Sequence, residues 1–365
     1  MLYRVIGVMS GSSLDGLDIA FVELEEKGGK WTFQIQEAAC YPYDQEWIGK
    51  LKSANHLSAQ DFVALDAAYG HFLGKQIQQF ISEKGLDYKV GLIASHGHTL
   101  FHAPGKYSIQ IGDGAAIAAE TGLPVVSDLR SLDVALGGQG APIVPMGEHL
   151  LLPEYKFFLN IGGIANLSYN GGSSYDAFDV CPANRVLNLL ANEKGLVYDN
   201  NGDLAAKGRI DESILETLNL LPYYQADFPK SLANEFGTNT IYPMLNTNGI
   251  STEDALATYI EHLAIQVAVA VEKIVVKRGL VMQPEKMLVT GGGAYNGYLV
   301  SRIEKLLSPL NIEITLPEQN LIEYKEALVM ALLGVLRWRE EETVFSSVTG
   351  ARRASVGGAL WMGQN

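Results

Sequence analysis

The sequence predicts an α/β protein of two lobes, each opening on antiparallel strands and continuing in strand–helix alternation. Three observations carry this. A glycine-bounded turn joins two apolar runs near the start, in RVIGVMSGSSLDGLDIAFV (4–22), and the same arrangement returns in FFLNIGGIANLSY (157–169). The length of 365 residues exceeds the size at which one hydrophobic core keeps growing, so a division into domains is expected. A third glycine turn, in MLVTGGGAYNGYLVSRI from Met287, follows a strand but opens a helix. The three turns are expected to close on one nucleotide.

Taken in order, apolar patterning predicts strands at 3–9, 17–24 and 31–39, the last two joined through the hairpin signal Lys27-Gly28-Gly29-Lys30. Ser58, with Asp61 three positions on, starts a helix whose apolar residues keep helical spacing to about Ile81. Short buried strands at 90–94 and 124–126 with a helix at 115–121 between them favour parallel pairing. The run GGQGAPIVP (137–145) is too rich in Gly and Pro for regular structure and marks the crossing between lobes. That gives domains of 1–140 and 141–365, with the last helix free to pack back on the first lobe.

The second half restarts with strands at 157–161, 164–169 and 175–178. A helix at 183–192 follows Pro182, and 222–243 is an irregular aromatic stretch suited to a binding loop or a packed connection. A long helix capped by Thr252 with Asp254 runs to Arg278. A strand at 286–289, a helix at 294–307, a strand at 312–315 and a helix at 322–339 complete the chain.

Composition narrows the partners. Lys and Arg total 27 against 41 Asp and Glu, a net charge of −14 with no basic run, which argues against nucleic acid and anionic membrane. The most apolar long window, 255–276, carries Glu261, His262, Gln266 and Glu272, which a membrane span would not tolerate. Two cysteines, Cys40 and Cys181, with no CxxC, make no disulfide framework or cysteine-rich zinc site. The first residues form no charged and apolar leader, so a reducing, cytoplasmic setting is expected.

Four groups of residues have the chemistry for a site. In the first turn Gly11, Ser12, Ser13 and Gly16 let backbone and hydroxyl donors approach a phosphate, and Asp15 or Asp18 suits a hydrated Mg²⁺. An ordinary hairpin with a polar tip would look the same. Gly162 and Gly163, and then Gly291, Gly292 and Gly293, are the other two phosphate or nucleoside turns. GxxxxGK[ST] and GxGxxG are both absent, which excludes a P-loop and leaves a dinucleotide fingerprint unsupported. Asp179 is expected at a strand end before the helix opened by Pro182, placed as the one base a phosphoryl-transfer enzyme needs, or as a carboxylate favoured by the helix dipole. Ser95-His96-Gly97-His98 with His102 offers metal ligands, hydrogen-bonded scaffold or a substrate contact. Arg130, after a strand, can clamp a carboxylate or pair with Asp128 or Asp133.

Together these segments resemble the anhydro-N-acetylmuramic acid kinases. The matching motifs are GVMSGSSLDGLD (7–18), SHGHTLFHAP (95–104), QIGDGAAIAAETGLPVVSDLR (110–130), GGQGAPIVP (137–145), NIGGIAN (160–166), FPKS (228–231), TEDALAT (252–258), GGGAYN (291–296) and VTGA (348–351), in the family's order along nearly the whole chain. The resemblance implies a two-lobed actin/hexokinase-like (ribonuclease H-like) fold with a central cleft, and MgATP. The implied reaction is a phosphotransfer to an alcohol: water adds to the anomeric carbon of 1,6-anhydro-N-acetylmuramate while the freed 6-oxygen takes the γ-phosphate, a step of peptidoglycan recycling. By position the aspartate that activates this water is Asp179. Arg130, His96 and Glu326, the last in a stretch like the family's EAxAFA, are the expected sugar contacts. The implied partner is a small sugar, with a homodimer left open.

The loop after the aspartate departs from the family's DTGPGN. Here it is Asp179-Val180-Cys181-Pro182-Ala183-Asn184, so Cys and Ala replace two glycines, with backbone strain and added β-carbons in the cleft as the expected result. Asn188, Asn201 and Ala233-Asn234 also differ from the family's usual residues. A kinase for a related sugar, a non-catalytic ATP-dependent switch of the same superfold and a His-cluster metallohydrolase are the competing readings.

Overall fold

A computed structural model describes the chain except residues 12–13, 173–174, 247–248, 281–282 and 365. β1 (Leu2–Ser10), β2 (Gly16–Lys27) and β3 (Lys30–Pro42) form an antiparallel trio, and Gly28 and Gly29 turn between β2 and β3 at positive φ. β4 (Leu92–Ala103) runs parallel to β1, β5 (Tyr107–Ile111) folds back on the far half of β4, and β6 (Val125–Ser127) lies parallel to its near half. The pattern then repeats. β7 (Phe157–Ile161), β8 (Ile164–Asn170) and β9 (Tyr175–Pro182) are an antiparallel trio, and β10 (Glu285–Thr290) and β11 (Ile312–Thr315) extend it in parallel. β12 (Ala359–Trp361) pairs antiparallel with β6. The sheets therefore read β3-β2-β1-β4-β6-β12 and β9-β8-β7-β10-β11, and the expected duplication is present in strand order and direction.

The chain divides into Met1–Pro153 with Tyr324–Asn365, and Glu154–Glu323. The crossing comes later than the Gly/Pro run suggests, because the helix Val144–Leu151 packs within the first unit. There a Cβ on Gly147 would overlap the Val329 side chain, and Glu148 accepts a 3.0 Å bond from Lys325 with both side chains buried. The return to the first unit falls at Tyr324, where the helix Gln319–Trp338 leaves helical geometry at φ −113°, ψ 17°.

In the first unit the central strands β1, β2, β4 and β6 are largely buried. Ile6, Val8, Leu17, Ile19 and Phe21 pack with Tyr69, Leu73, Ile77 and Phe80 of the helix Ala59–Glu83. Side chains alternate along a strand, so Gly7 between Ile6 and Val8 faces the other way. A Cβ there would overlap the carbonyl oxygen of Ala327, and Gly334 makes the reverse close approach to Ala94. The helix after Tyr324 thus lies directly on β1 and β4. In the second unit the helix Thr252–Arg278 buries Leu256, Tyr259, Leu263, Val267 and Val271 against Leu159, Leu167, Met287 and Val289. Ser251, not Thr252, caps it, accepting from the Asp254 N–H at 3.1 Å, and Gly279 ends it at φ 60°.

Other elements differ from expectation for local reasons. β4 continues through the histidines because β5 pairs with it, and their polar side chains hide the strand pattern. β9 runs past Phe178 to Pro182. Short helical turns at 222–225 and 234–246 flank 226–233, which is irregular as expected, and a 3-10 turn (Gly292–Tyr295) precedes a helix that Asn296 caps (Gly297–Leu307). Among the described residues no helix is long and apolar enough to cross a membrane.

Replacing Gly7 by Ala sets a β-carbon against a main-chain oxygen that no rotamer change relieves. Gly7→Ala is expected to destabilise by about 3 kcal/mol in denaturant unfolding. Gly49→Ala, at an exposed helical position with nothing within 4 Å of the new Cβ, should be neutral or stabilising. Equal midpoints for the two variants would contradict this packing.

Candidate active site

Gly162 and Gly163 join β7 to β8, with Asn160 directly opposite Asn166. Neither glycine has a positive φ, and a Cβ would meet nothing closer than 3.6 Å at Gly162 or 3.8 Å at Gly163. Neither conformation nor packing uses the missing side chains, so what the glycines leave is backbone open to an approaching group. The N–H groups of Ala183, Asn184 and Arg185 donate to the carbonyls of Gly163, Gly162 and Gly163 at 2.8, 3.0 and 3.3 Å. The helix Asn184–Asn192 is thereby stitched to the turn. The Asn184 amide donates to Ile161 O at 3.1 Å and lies 3.6 Å from a Cβ position on Gly292. Gly291, at φ 81°, sits so close that a Cβ would be 2.7 Å from Asn160 Oδ1, and one on Gly293 would overlap Ile161. The second and third glycine turns are therefore in contact within the second unit.

Asp179 sits inside β9, opposite Asn166, where a bulge interrupts the β8–β9 register. It is not at a strand end, and it caps no helix. The Asn166 amide donates to its Oδ1, and the Leu232 N–H donates to its Oδ2 at 2.8 Å. Its own N–H donates to Lys230 O at 3.1 Å, and the Tyr223 hydroxyl donates to its carbonyl at 2.7 Å. Phe228 stacks on Phe178 with centroids 4.6 Å apart, so 228–232 is clamped across β9. Burial pushes the carboxyl above its ordinary value, and the Leu232 and Asn166 donors oppose the shift by favouring the ionised form. The result is an oriented carboxylate more basic than a free one, which a general base requires.

The altered loop needs no left-handed backbone at its two replaced positions. Neither Cys181 nor Ala183 has a positive φ, and both are fully buried. Cys181 Sγ lies 3.4 and 3.5 Å from the Tyr224 and Tyr259 hydroxyls, and burial pushes its thiol up to about 11. Such a thiol is inert. The added β-carbons enter the core, contrary to the expectation that they would crowd the cleft.

In the first unit, Ser12 and Ser13 lie outside the described residues. The end of β1 is anchored by a buried chain in which His98 Nδ1 meets Ser10 Oγ at 2.8 Å, Tyr43 donates to Ser10 at 2.7 Å and Tyr69 meets Tyr43 at 2.6 Å. Beyond it Leu14 takes φ 60° and donates to Gly11 O at 3.3 Å. Asp15 is exposed and Asp18 half-buried. Gly16 is the first residue of β2, where a Cβ would come within 2.6 Å of Cys40 Sγ, so close strand approach requires a glycine there.

Arg130 directs Nε and Nη2 at His96 Nε2, at 3.0 and 2.8 Å, and Nη1 at Gly140 O at 3.0 Å. The other His96 nitrogen meets Gly97 O at 2.9 Å, and burial beside the guanidinium lowers the imidazole to about 3. His96 is thus a neutral acceptor with both ring nitrogens engaged, and it positions Arg130. Asp133 bonds Gly140 N and Thr349 instead, and Asp128 bonds Ser131, so Arg130 pairs with neither. Glu326 is close enough to Arg130 for their charges to interact, and burial raises its carboxyl. His98 is bonded to Ser10 and His102 to Ser108. Among the described residues no three His, Cys, Asp or Glu side chains gather for a metal, and the metallohydrolase reading loses its ligands.

Sequence reasoning missed Asn184, Arg185, the Leu232 N–H and the role of Asn166. Only Asn166 was within reach, since equal spacing about Gly162-Gly163 sets it opposite Asn160. Removing it makes a test: Asn166→Ala takes a donor from the carboxylate and should raise the acid limb of the turnover–pH profile by about one unit. A limb that stays in place would contradict the assigned pairing.

A family model described as anhydro-N-acetylmuramic acid kinase matches residues 3–363. Proteins with that name from Sulfurovum sp. (strain NBC37-1) and Coxiella burnetii (strain Dugway 5J108-111) are 31% and 33% identical. The matches cover 98% of this chain and 99% of the Sulfurovum protein, and 99% and 98% for the Coxiella protein. Among solved structures, the activator of the 2-hydroxyisocaproyl-CoA dehydratase from Clostridium difficile with bound ADPNP is 15% identical over 92% of this chain and 96% of that one, with a TM-score of 0.45. The chain belongs to the anhydro-N-acetylmuramic acid kinase family.

Proposed function

We propose that this chain uses ATP to open and phosphorylate 1,6-anhydro-N-acetylmuramic acid, giving N-acetylmuramic acid 6-phosphate in peptidoglycan recycling. The observation that carries this is the Asp179 carboxylate, held at both oxygens by Asn166 and Leu232 in the unit where the Gly162–Gly163 and Gly291–Gly293 turns meet. Asp179 takes a proton from water as the water oxygen bonds to the anomeric carbon. The C1–O6 bond breaks, O6 bonds to the γ-phosphorus, and the bond from that phosphorus to the bridging oxygen breaks to release ADP. Gly291–Gly293 accommodates the nucleoside, while Gly162-Gly163 and the Gly11–Asp18 segment take the phosphates.

Arg130, desolvated and braced by His96, is the partner for the lactyl carboxylate, and Glu326 accepts from sugar hydroxyls. Asp15 or Asp18, a hard oxygen donor of the kind Mg²⁺ takes together with water and phosphate oxygens, would hold that ion. Bound there, it would neutralise phosphate charge. Two cysteines without a disulfide support a cytoplasmic setting.

Asp179→Asn keeps the size and loses the base. Sugar-dependent ADP release should fall about 10³-fold while nucleotide affinity is unchanged. ADP release at the wild-type rate in this variant would remove the mechanism, and wild-type ATP hydrolysis indifferent to every anhydro sugar would favour the switch reading.

A further inference from the structure

Arg185 is the second residue of the helix Asn184–Asn192. Its guanidinium lies beside the open glycine turn, with Nε and Nη2 at 3.8 and 3.9 Å from a Cβ position on Gly163. Nε is buried and has no hydrogen-bond partner among the described residues, and no carboxylate among them pairs with the side chain. A buried guanidinium donor without an acceptor is costly, and Arg cannot shed its charge to relieve it. An anion arriving at the turn supplies the acceptor.

The sequence of contacts in the unit says which anion. From the Gly291–Gly293 turn, Asn184 bridges to Ile161 beside Gly162; Gly163 and Arg185 come next, and Asn166 with Asp179 follow three residues further along β8. Three residues of strand span about 10 Å. A base, its water, the anomeric carbon, O6 and phosphorus in near-attack order need a similar reach, on the order of 9–10 Å. We infer that Arg185, with the N–H groups of the Gly162–Gly163 turn, binds the terminal phosphoryl group of ATP and stabilises its charge during transfer. This rests on the kinase reading above. A fork of fixed donors at a migrating phosphoryl group is the chemistry supplied elsewhere by arginine fingers.

The test compares ADP with non-hydrolysable β,γ-imido ATP by calorimetry on the full chain, with Arg185→Met and Arg185→Lys, alongside sugar-dependent ADP release. Arg185→Met should bind ADP as the wild type does and the ATP analogue about tenfold more weakly, with kcat down about 10³-fold. Arg185→Lys, which keeps the charge but not the fork, should recover part of both. Should the Met variant fail to fold, the Lys variant alone must show the selective loss. Equal affinity for both nucleotides as in the wild type, or an equal loss for both, overturns the inference. If the wild type releases no sugar-dependent ADP yet the selective loss is seen, the kinase reading fails and the phosphoryl contact stands.

Discussion

The Asp179 carboxylate is gripped from two sides that are distant in sequence. Asn166 reaches it across the β8–β9 ladder, and the Leu232 N–H reaches it from a segment that crosses β9. Each donor favours the ionised form, while burial favours the neutral one. Basicity and orientation both come from this opposition. The crossing segment is in turn fastened by the Phe228–Phe178 stack, by Lys277 on Phe228 O at 3.0 Å, and by Lys230 on Tyr223 O at 3.0 Å. Cys181 of the same strand meets the buried Tyr224 and Tyr259 hydroxyls and ties the strand to the core.

Electrostatics are local. A net charge of −14 gives no general attraction for a nucleotide, so the proposed binding relies on placed donors. In that proposal the Gly162–Gly163 and Gly291–Gly293 turns offer backbone N–H groups without charge, and single cations are positioned one at a time. Arg130 is braced by His96 and Gly140 O, and Glu148 and Lys325 neutralise one another one residue from Glu326. Neutral histidines suit this plan, because a protonated imidazole beside Arg130 would repel it.

The duplicated fold was legible because each half opens on the same punctuation, an apolar strand, a glycine turn and an apolar strand, and that pattern survives in sequence. The long helices at 59–83 and 252–278 were legible from their spacing and caps. The far half of β4 was not, since His98, Thr99 and His102 carry no strand alternation, and pairing with β5, joined by β1 only at His98, holds them extended. Leu232 acts through its main chain, 53 residues from its acceptor, and a main-chain donor leaves no mark on residue type. The loss of two loop glycines read as left-handed strain, yet neither Cys181 nor Ala183 takes a positive φ, and both pack inward. Arg185 was visible only as a polar residue at a helix start; its want of an acceptor is a property of the folded chain.

The most direct measurement is the titration of the Asp179 carboxyl itself, by carbon-13 NMR of protein labelled at aspartate Cγ, assigned by the resonance lost in Asp179→Asn. The gripped carboxylate should titrate above the ordinary aspartate value of 3.8 and be ionised at neutral pH. A resonance titrating below that value, or one still protonated at pH 7, would contradict the opposition of burial and donors on which the proposed chemistry depends.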